Sequence, residues 1–352
     1  MKISQMKKIT ADNPAFSYMG RIDFSDKAQP LFIYAGSMVR VKFTGTLAGV
    51  FIKNICMGEY CSLGYLIDGV QGKTELLPSG EEEYYQLADG LSDEEHELVI
   101  FKRQAAAHYF YFCGIGISQN GTVSEPAPLS DFRLEIYGDS VSAGEVVENI
   151  YYEAHTDPEN HKGVYDNSWF SYTLSLARKL NAQIHNCSQG GISLFDKTGY
   201  FNGPDNLTGL ETTYDKLSYV SYSPMGLTKW DFSRYTPDLV IIAIGQNDAS
   251  PDPDCMSNPE YKAKWQAKYS EIIKDLQSRY GEKTRFLLIT TVLIHEKCWD
   301  NAIDEIAGSF GDNVRHFLFK RNGAATPGHP RITEQEEMAG ELNTYIREWF
   351  NM

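Results

Sequence analysis

The chain has 352 residues, more than a single core of about 150 needs, so two domains are expected. Hydrophobic residues make up 42% and charged residues 22%, the balance of an ordinary globular protein, while a net charge of −15 argues against nucleic acid and acidic surfaces as partners. No run approaches the roughly 20 apolar residues of a membrane span, and no apolar stretch follows the lysines of residues 1–8, so neither membrane insertion nor export is expected and a cytoplasmic location is.

The six cysteines, at 56, 61, 113, 187, 255 and 298, form no CxxC pair, which leaves reduced thiols as the simplest account. From about residue 15 to 118 the pattern is one of short strands. Met38-Val39-Arg40-Val41-Lys42-Phe43 alternates apolar and polar, and similar runs recur at 50–52, at 65–67 before the turn Asp68-Gly69, at 97–101 and at 108–112. Strands at this spacing, without helical periodicity between them, suggest a β jelly roll or sandwich over residues 1–118. Residues 119–130 are polar, carry two prolines and read as a linker.

From 131 to 352 strands and helices alternate. Apolar runs at 132–137, 182–187, 239–244, 286–294 and 314–319 are separated by helical stretches, the clearest at 260–280 with Trp265, Tyr269, Ile272, Ile273 and Leu276 on one face. A capping box, Thr333-Glu334-Gln335-Glu336, is expected to open the last helix, with Met338, Leu342, Tyr345, Ile346 and Trp349 turned inward. The alternation predicts a parallel sheet covered on both faces, a three-layer α/β/α domain.

Four short stretches at strand or helix ends carry the chemistry. Gly138-Asp139-Ser140 closes the first of these strands with a tight turn, where open α/β sheets place their ligands. Asn186-Cys187-Ser188-Gln189-Gly190-Gly191 follows the second strand, and its glycines can direct backbone N–H groups into a site, or simply make a turn. Gly245-Gln246-Asn247-Asp248 follows the third strand, where an amide can donate to a developing oxyanion or cap a helix. Pro327-Gly328-His329-Pro330 precedes the last helix and holds a loop imidazole suited to general-base work.

Together these stretches resemble the four blocks of the SGNH, or GDSL, hydrolase superfamily. The likeness narrows to family 2 of the carbohydrate esterases, which is similar in carrying a jelly roll before the SGNH domain and in phrases like Trp230-Asp231-Phe232-Ser233-Arg234-Tyr235 and Phe101-Lys102-Arg103. The resemblance implies Ser140 as nucleophile and His329 as its base. It implies the N–H groups of Ser140 and Gly191 and the side chain of Asn247 as the oxyanion hole, with Asp139 structural. It also implies removal of O-acetyl groups from mannan-, glucomannan- or xylan-type glycans, with no cofactor and no metal.

The pattern departs from the superfamily at Thr326, where most members place an aspartate three residues before the histidine. A Ser-His dyad, with a backbone carbonyl orienting the ring, is therefore expected. Trp230 and Tyr222, with Tyr200 and Phe201, are the aromatic candidates for stacking on sugar in the long segment 195–235. His295, Glu296 and Cys298 fit no metal-ligand spacing. Two other functions stay open, an esterase for non-carbohydrate esters and a glycan-binding protein with an inactive SGNH domain; retention of all four blocks counts against the second.

Overall fold

The computed structural model describes residues 6–56, 60–105, 108–201, 203, 205–218, 226–290, 293, 296–321 and 326–352. Its N-terminal part is a sandwich of two antiparallel sheets. One has the order Ile22–Asp23, Leu31–Phe32, His108–Ser118, Leu47–Cys56, Glu82–Asp89, with Met6–Ile9 paired onto His108–Ser118; the other runs Val123–Ser124, Met38–Thr44, Glu95–Lys102, Ser62–Ile67, Val70–Glu75, with Ser17–Met19 on Met38–Thr44. The alternation in Met38–Thr44 sends Val39, Val41 and Phe43 into a shared core with Val50, Ile52, Ile100, Phe110 and Phe112. Within the stretch read as a linker, Val123 pairs with Phe43 and so extends the sandwich.

The C-terminal part is a five-stranded parallel sheet. Its strands are β1 (Arg133–Gly138), β2 (Gln183–Asn186), β3 (Leu239–Ala243), β4 (Arg285–Ile289) and β5 (Val314–Phe317), in the order β2-β1-β3-β4-β5. The order reverses between β1 and β3, and the carboxyl ends of those two strands flank the crevice where such sheets bind ligands. Nearly continuous apolar strands match the two-sided burial. Val240, Ile242, Phe286 and Leu288 face Trp265 and Ile272 of α3 (Pro259–Tyr280) and Trp299 of α4 (Lys297–Gly308). Leu239, Ile241, Leu287 and Ile289 face α2 (Tyr172–Leu180) and α5 (Ile332–Phe350). A short helix, α1 (Ser140–Ala143), is a single turn directly after β1.

α5 starts one residue before the expected box and uses a different cap. Arg331 is the N-cap residue, and Glu334, three positions on, reaches back to accept its N–H at 2.9 Å. The inward residues are as read from the periodicity, with Met338, Leu342, Ile346 and Trp349 buried and Tyr345 half-buried.

Sandwich and sheet are interlocked by buried polar contacts. Arg21 donates to Glu135 of β1 at 3.0 Å and to the carbonyls of Tyr214 and Lys216, and it contacts the Tyr137 hydroxyl; both members of the Arg21–Glu135 pair are fully buried. The Phe101-Lys102-Arg103 phrase lies on the same border. Ser168 bonds the Lys102 and Arg103 carbonyls, Phe101 packs on Trp169, and Arg103 pairs with Glu148 at 2.6 Å.

Candidate active site

Ser140, Gly191, Asn247 and His329, far apart in sequence, line one cleft of about 660 Å³ at the carboxyl ends of β1 and β3. The turn after β1 is built by Asp139, the N-cap of α1, whose carboxylate accepts from Val141 N at 3.0 Å and from the Gln246 amide. Burial pushes the Asp139 carboxyl up to about 6 against those two bonds, and it does not line the cleft, as fits a structural residue. Ser140 stands at the first helical position, where backbone N–H groups have no intrahelical acceptor. Its N–H and that of Gly191 have no acceptor among the described residues.

Asn247 donates one amide hydrogen to the Ile192 carbonyl at 2.9 Å. That bond fixes the amide and leaves its second hydrogen for the cleft. Asp248 ties the same two loops, accepting from Leu194 N and from Trp265 Nε1 of α3, each at 2.9 Å; burial pushes its carboxyl up to about 7.

The expected dyad is overturned at His329. Its Nδ1 lies 2.6 Å from Asp157 Oδ2, and its backbone N–H donates to Oδ1 of the same carboxylate at 3.0 Å. Arg331 pairs with Asp157 Oδ1 at 2.9 Å and also donates to the His329 carbonyl. A carboxylate from a loop 172 residues earlier thus takes the place left by Thr326. The approach is close, because a Cβ at Gly328 would stand 2.4 Å from Asp157 Oδ1.

Thr326 itself holds that loop in place. Its hydroxyl accepts from Ala154 N at 2.9 Å and donates to Glu334 at 2.6 Å. Burial works to lower the His329 pKa, but the Asp157 hydrogen bond and the Glu145, Asp157 and Asp139 charges outweigh it, and the net shift is upward. Partial burial likewise works to raise the Asp157 carboxyl, yet His329 and Arg331 hold it below the usual carboxylate range. Nε2 of His329 is buried with no partner, and Ser140 Oγ has none either among the described residues. In unliganded sites such contacts are often long and tighten around substrate.

The aromatic candidates divide. Tyr200, 66% exposed, stands at the cleft, whereas Phe201 is buried in the core. Trp230 is not at the cleft: it is 5% exposed, packs against His185, and lies 5.1 Å from the Arg21 guanidinium and 4.7 Å from that of Arg234. Its indole serves the border between sandwich and sheet, where a large flat ring covers two arginines. Tyr222 and His295 lie outside the described residues. Among the described residues, no group of three His, Cys, Asp or Glu side chains is placed to hold a metal, and no helix is long and apolar enough to cross a membrane.

A serine at a helix N-terminus, an anchored imidazole and three N–H donors around one cleft can perform acyl transfer. Comparisons with known proteins point to the same chemistry. Residues 18–128 match the family described as Carbohydrate esterase 2 N-terminal. The chain is 29% identical to the cellulase/esterase CelE of Acetivibrio thermocellus over 96% of its own length, and it spans 40% of that longer protein. It is 24% identical to the acetylxylan esterase / glucomannan deacetylase of Cellvibrio japonicus, covering 98% of this chain and 92% of that one. A solved family two carbohydrate esterase from Clostridium thermocellum, in complex with cellohexaose, superposes with a TM-score of 0.78 at 26% identity, over 96% of this chain and 99% of that one. Segment, whole-chain similarity and fold agree, and the chain is a relative of the family 2 carbohydrate esterases, built on the SGNH (GDSL) hydrolase fold.

Proposed function

We propose that this carboxylic ester hydrolase removes O-acetyl groups from glycans of the mannan, glucomannan or xylan type. The observation that carries the reading is the convergence of Ser140, the Asp157-anchored His329 and the Asn247 amide on one cleft. In this mechanism His329 Nε2 takes the Ser140 proton as Oγ attacks the acetyl carbonyl. The N–H groups of Ser140 and Gly191 and the free amide hydrogen of Asn247 stabilise the tetrahedral oxyanion. His329 then returns the proton to the leaving sugar oxygen, which gives an acetyl-enzyme and a free hydroxyl. A water deprotonated by the same imidazole releases acetate and restores Ser140.

Asp157 holds the imidazole with Nδ1–H toward itself and Nε2 toward the serine, and it stabilises the imidazolium formed in each half-reaction. Tyr200 offers an exposed ring at the cleft for a sugar face. Action on imported oligosaccharides in the cytoplasm belongs to the same proposal.

The test is acetate release from acetylated glucomannan, galactoglucomannan and xylan oligosaccharides, with Ser140→Ala as control. Release from at least one of these, abolished by the substitution, is the expected result. If Ser140→Ala leaves p-nitrophenyl acetate hydrolysis unchanged, the assigned mechanism fails.

A further inference from the structure

One carboxyl group in the cleft has no part in the reaction above. Glu145 lines the cleft with Ser140 and His329, and the way α1 ends puts it there. Gly144 closes the helix at φ 80°, and the N–H groups of Gly144 and Glu145 both turn back onto the Ser140 carbonyl at 3.0 Å. A Cβ at position 144 would meet the Asn167 carbonyl oxygen at 2.8 Å, so this turn is fixed by glycine and by packing. The residue after the glycine therefore faces the nucleophile's own cleft.

The Glu145 carboxyl rests on the glycine loop, where a Cβ on Gly190 would fall 1.9 Å from its Oε1. Three acids near it are engaged: Asp139 with Val141 and Gln246, Asp157 with His329 and Arg331, and Asp166 with Val146 N at 3.0 Å. Glu145 receives no hydrogen bond and forms no ion pair among the described residues. Burial first, and the Asp166 charge second, push it up to about 8, with His329 opposing. Its ionisation is disfavoured there, and the carboxyl offers a ligand hydroxyl an acceptor, and a donor while it keeps its proton.

Resting on the acetyl-esterase reading, we propose that Glu145 is a specificity-determining residue whose carboxyl hydrogen-bonds a free hydroxyl of the sugar ring beside the ester. The substrate class is then a neutral, partly acetylated sugar with an unesterified hydroxyl next to the reacting acetyl group. A carboxyl aimed at that hydroxyl is left unpaired by an ester that lacks one, and this penalty is the source of selectivity.

The experiment compares kcat/KM on a monoacetylated glucomannan oligosaccharide with kcat/KM on p-nitrophenyl acetate, which has no hydroxyl, for the wild type, Glu145→Ala and Glu145→Gln. The expected result is a fall of about 10- to 100-fold in the ratio of the two for Glu145→Ala, with most of it recovered by Glu145→Gln, which keeps a donor and an acceptor. An unchanged ratio in Glu145→Ala, including equal losses on both substrates, overturns the proposal, as does a ratio that stays low in Glu145→Gln. Failure of the underlying esterase reading shows separately, as aryl-ester hydrolysis that survives Ser140→Ala.

Discussion

An imidazole acts as a base only while one nitrogen is unprotonated and aimed at the nucleophile, and at His329 both conditions trace to Asp157. Because the His329 pKa is raised, its neutral form is reached only above the ordinary value of about 6.5, and the acid limb of kcat/KM should sit correspondingly high. Asp157→Asn removes the strongest of the groups that hold the pKa up and leaves burial opposed only by the Glu145 and Asp139 charges. The limb should then move to lower pH while the plateau falls on the order of 10²- to 10⁴-fold, read from a pH–rate profile. A limb that stays in place would free Asp157 of this role. The four residues taken from the blocks all reach the cleft, since each sits beside a strand or helix end that sequence periodicity locates. Asp157 had no such signal: it is one of several acids in a polar loop, and only the tertiary fold brings it to Nδ1. Trp230 misled for the opposite reason, because an aromatic in a long loop reads as a binding residue when its arginine partners, Arg21 and Arg234, are unseen.

At the scale of elements, the histidine loop is held by the first turn of α5. Glu334 accepts from Thr326 N at 2.7 Å, Thr326 Oγ1 at 2.6 Å and Arg331 N at 2.9 Å, so a single buried side chain caps the helix and braces the loop. Glu334→Gln replaces an acceptor-only group with one that donates at one end, which conflicts with at least one of these donors. A loss of about 1–3 kcal/mol in denaturant unfolding is expected, together with a lower kcat as the imidazole loosens. Full activity at unchanged stability would show that the loop is held by other means. The helix itself was legible from its inward residues, but its cap was not. Thr333 and Glu336 satisfy the capping-box spacing in sequence, whereas the backbone chose Arg331 and Glu334 because Glu334 also serves Thr326.

At the scale of the whole molecule, the α/β order and the sandwich were legible because strand alternation and strand-helix alternation are local patterns. The border between them was not, since it depends on which polar side chains are buried together. Arg21→Ala should cost about 3–5 kcal/mol, because it leaves Glu135 charged and buried without its guanidinium, as thermal or denaturant unfolding would measure. A second prediction concerns pH. Burial raises Asp139 to about 6, Asp248 to about 7 and Glu145 to about 8. A carboxyl raised in the folded state contributes stability that is fully present below its unfolded value of roughly 4 and is lost as pH rises through the folded one. Asp157, shifted the other way, opposes this only as the pH falls below about 4. Buried Lys102, held down to about 7, works against this trend at the alkaline end, so the contribution of one carboxyl is read by difference: between about pH 5.5 and 8.5 the melting temperature of Asp248→Asn should drift upward relative to the wild type by a few degrees. A difference between Asp248→Asn and the wild type that stays constant over this range would refute the raised Asp248 carboxyl.

The arginine that reaches from the sandwich beneath the nucleophile's strand also limits how this protein can be recombined. A chimaera that exchanges the N-terminal β half for another's, while keeping the hydrolase half, inherits Glu135 and Tyr137 without their guanidinium unless residue 21 travels with the graft. The two halves are thus not interchangeable cassettes. A library built by crossover near residue 128 should yield soluble protein chiefly where both sides of that buried pair come from one parent.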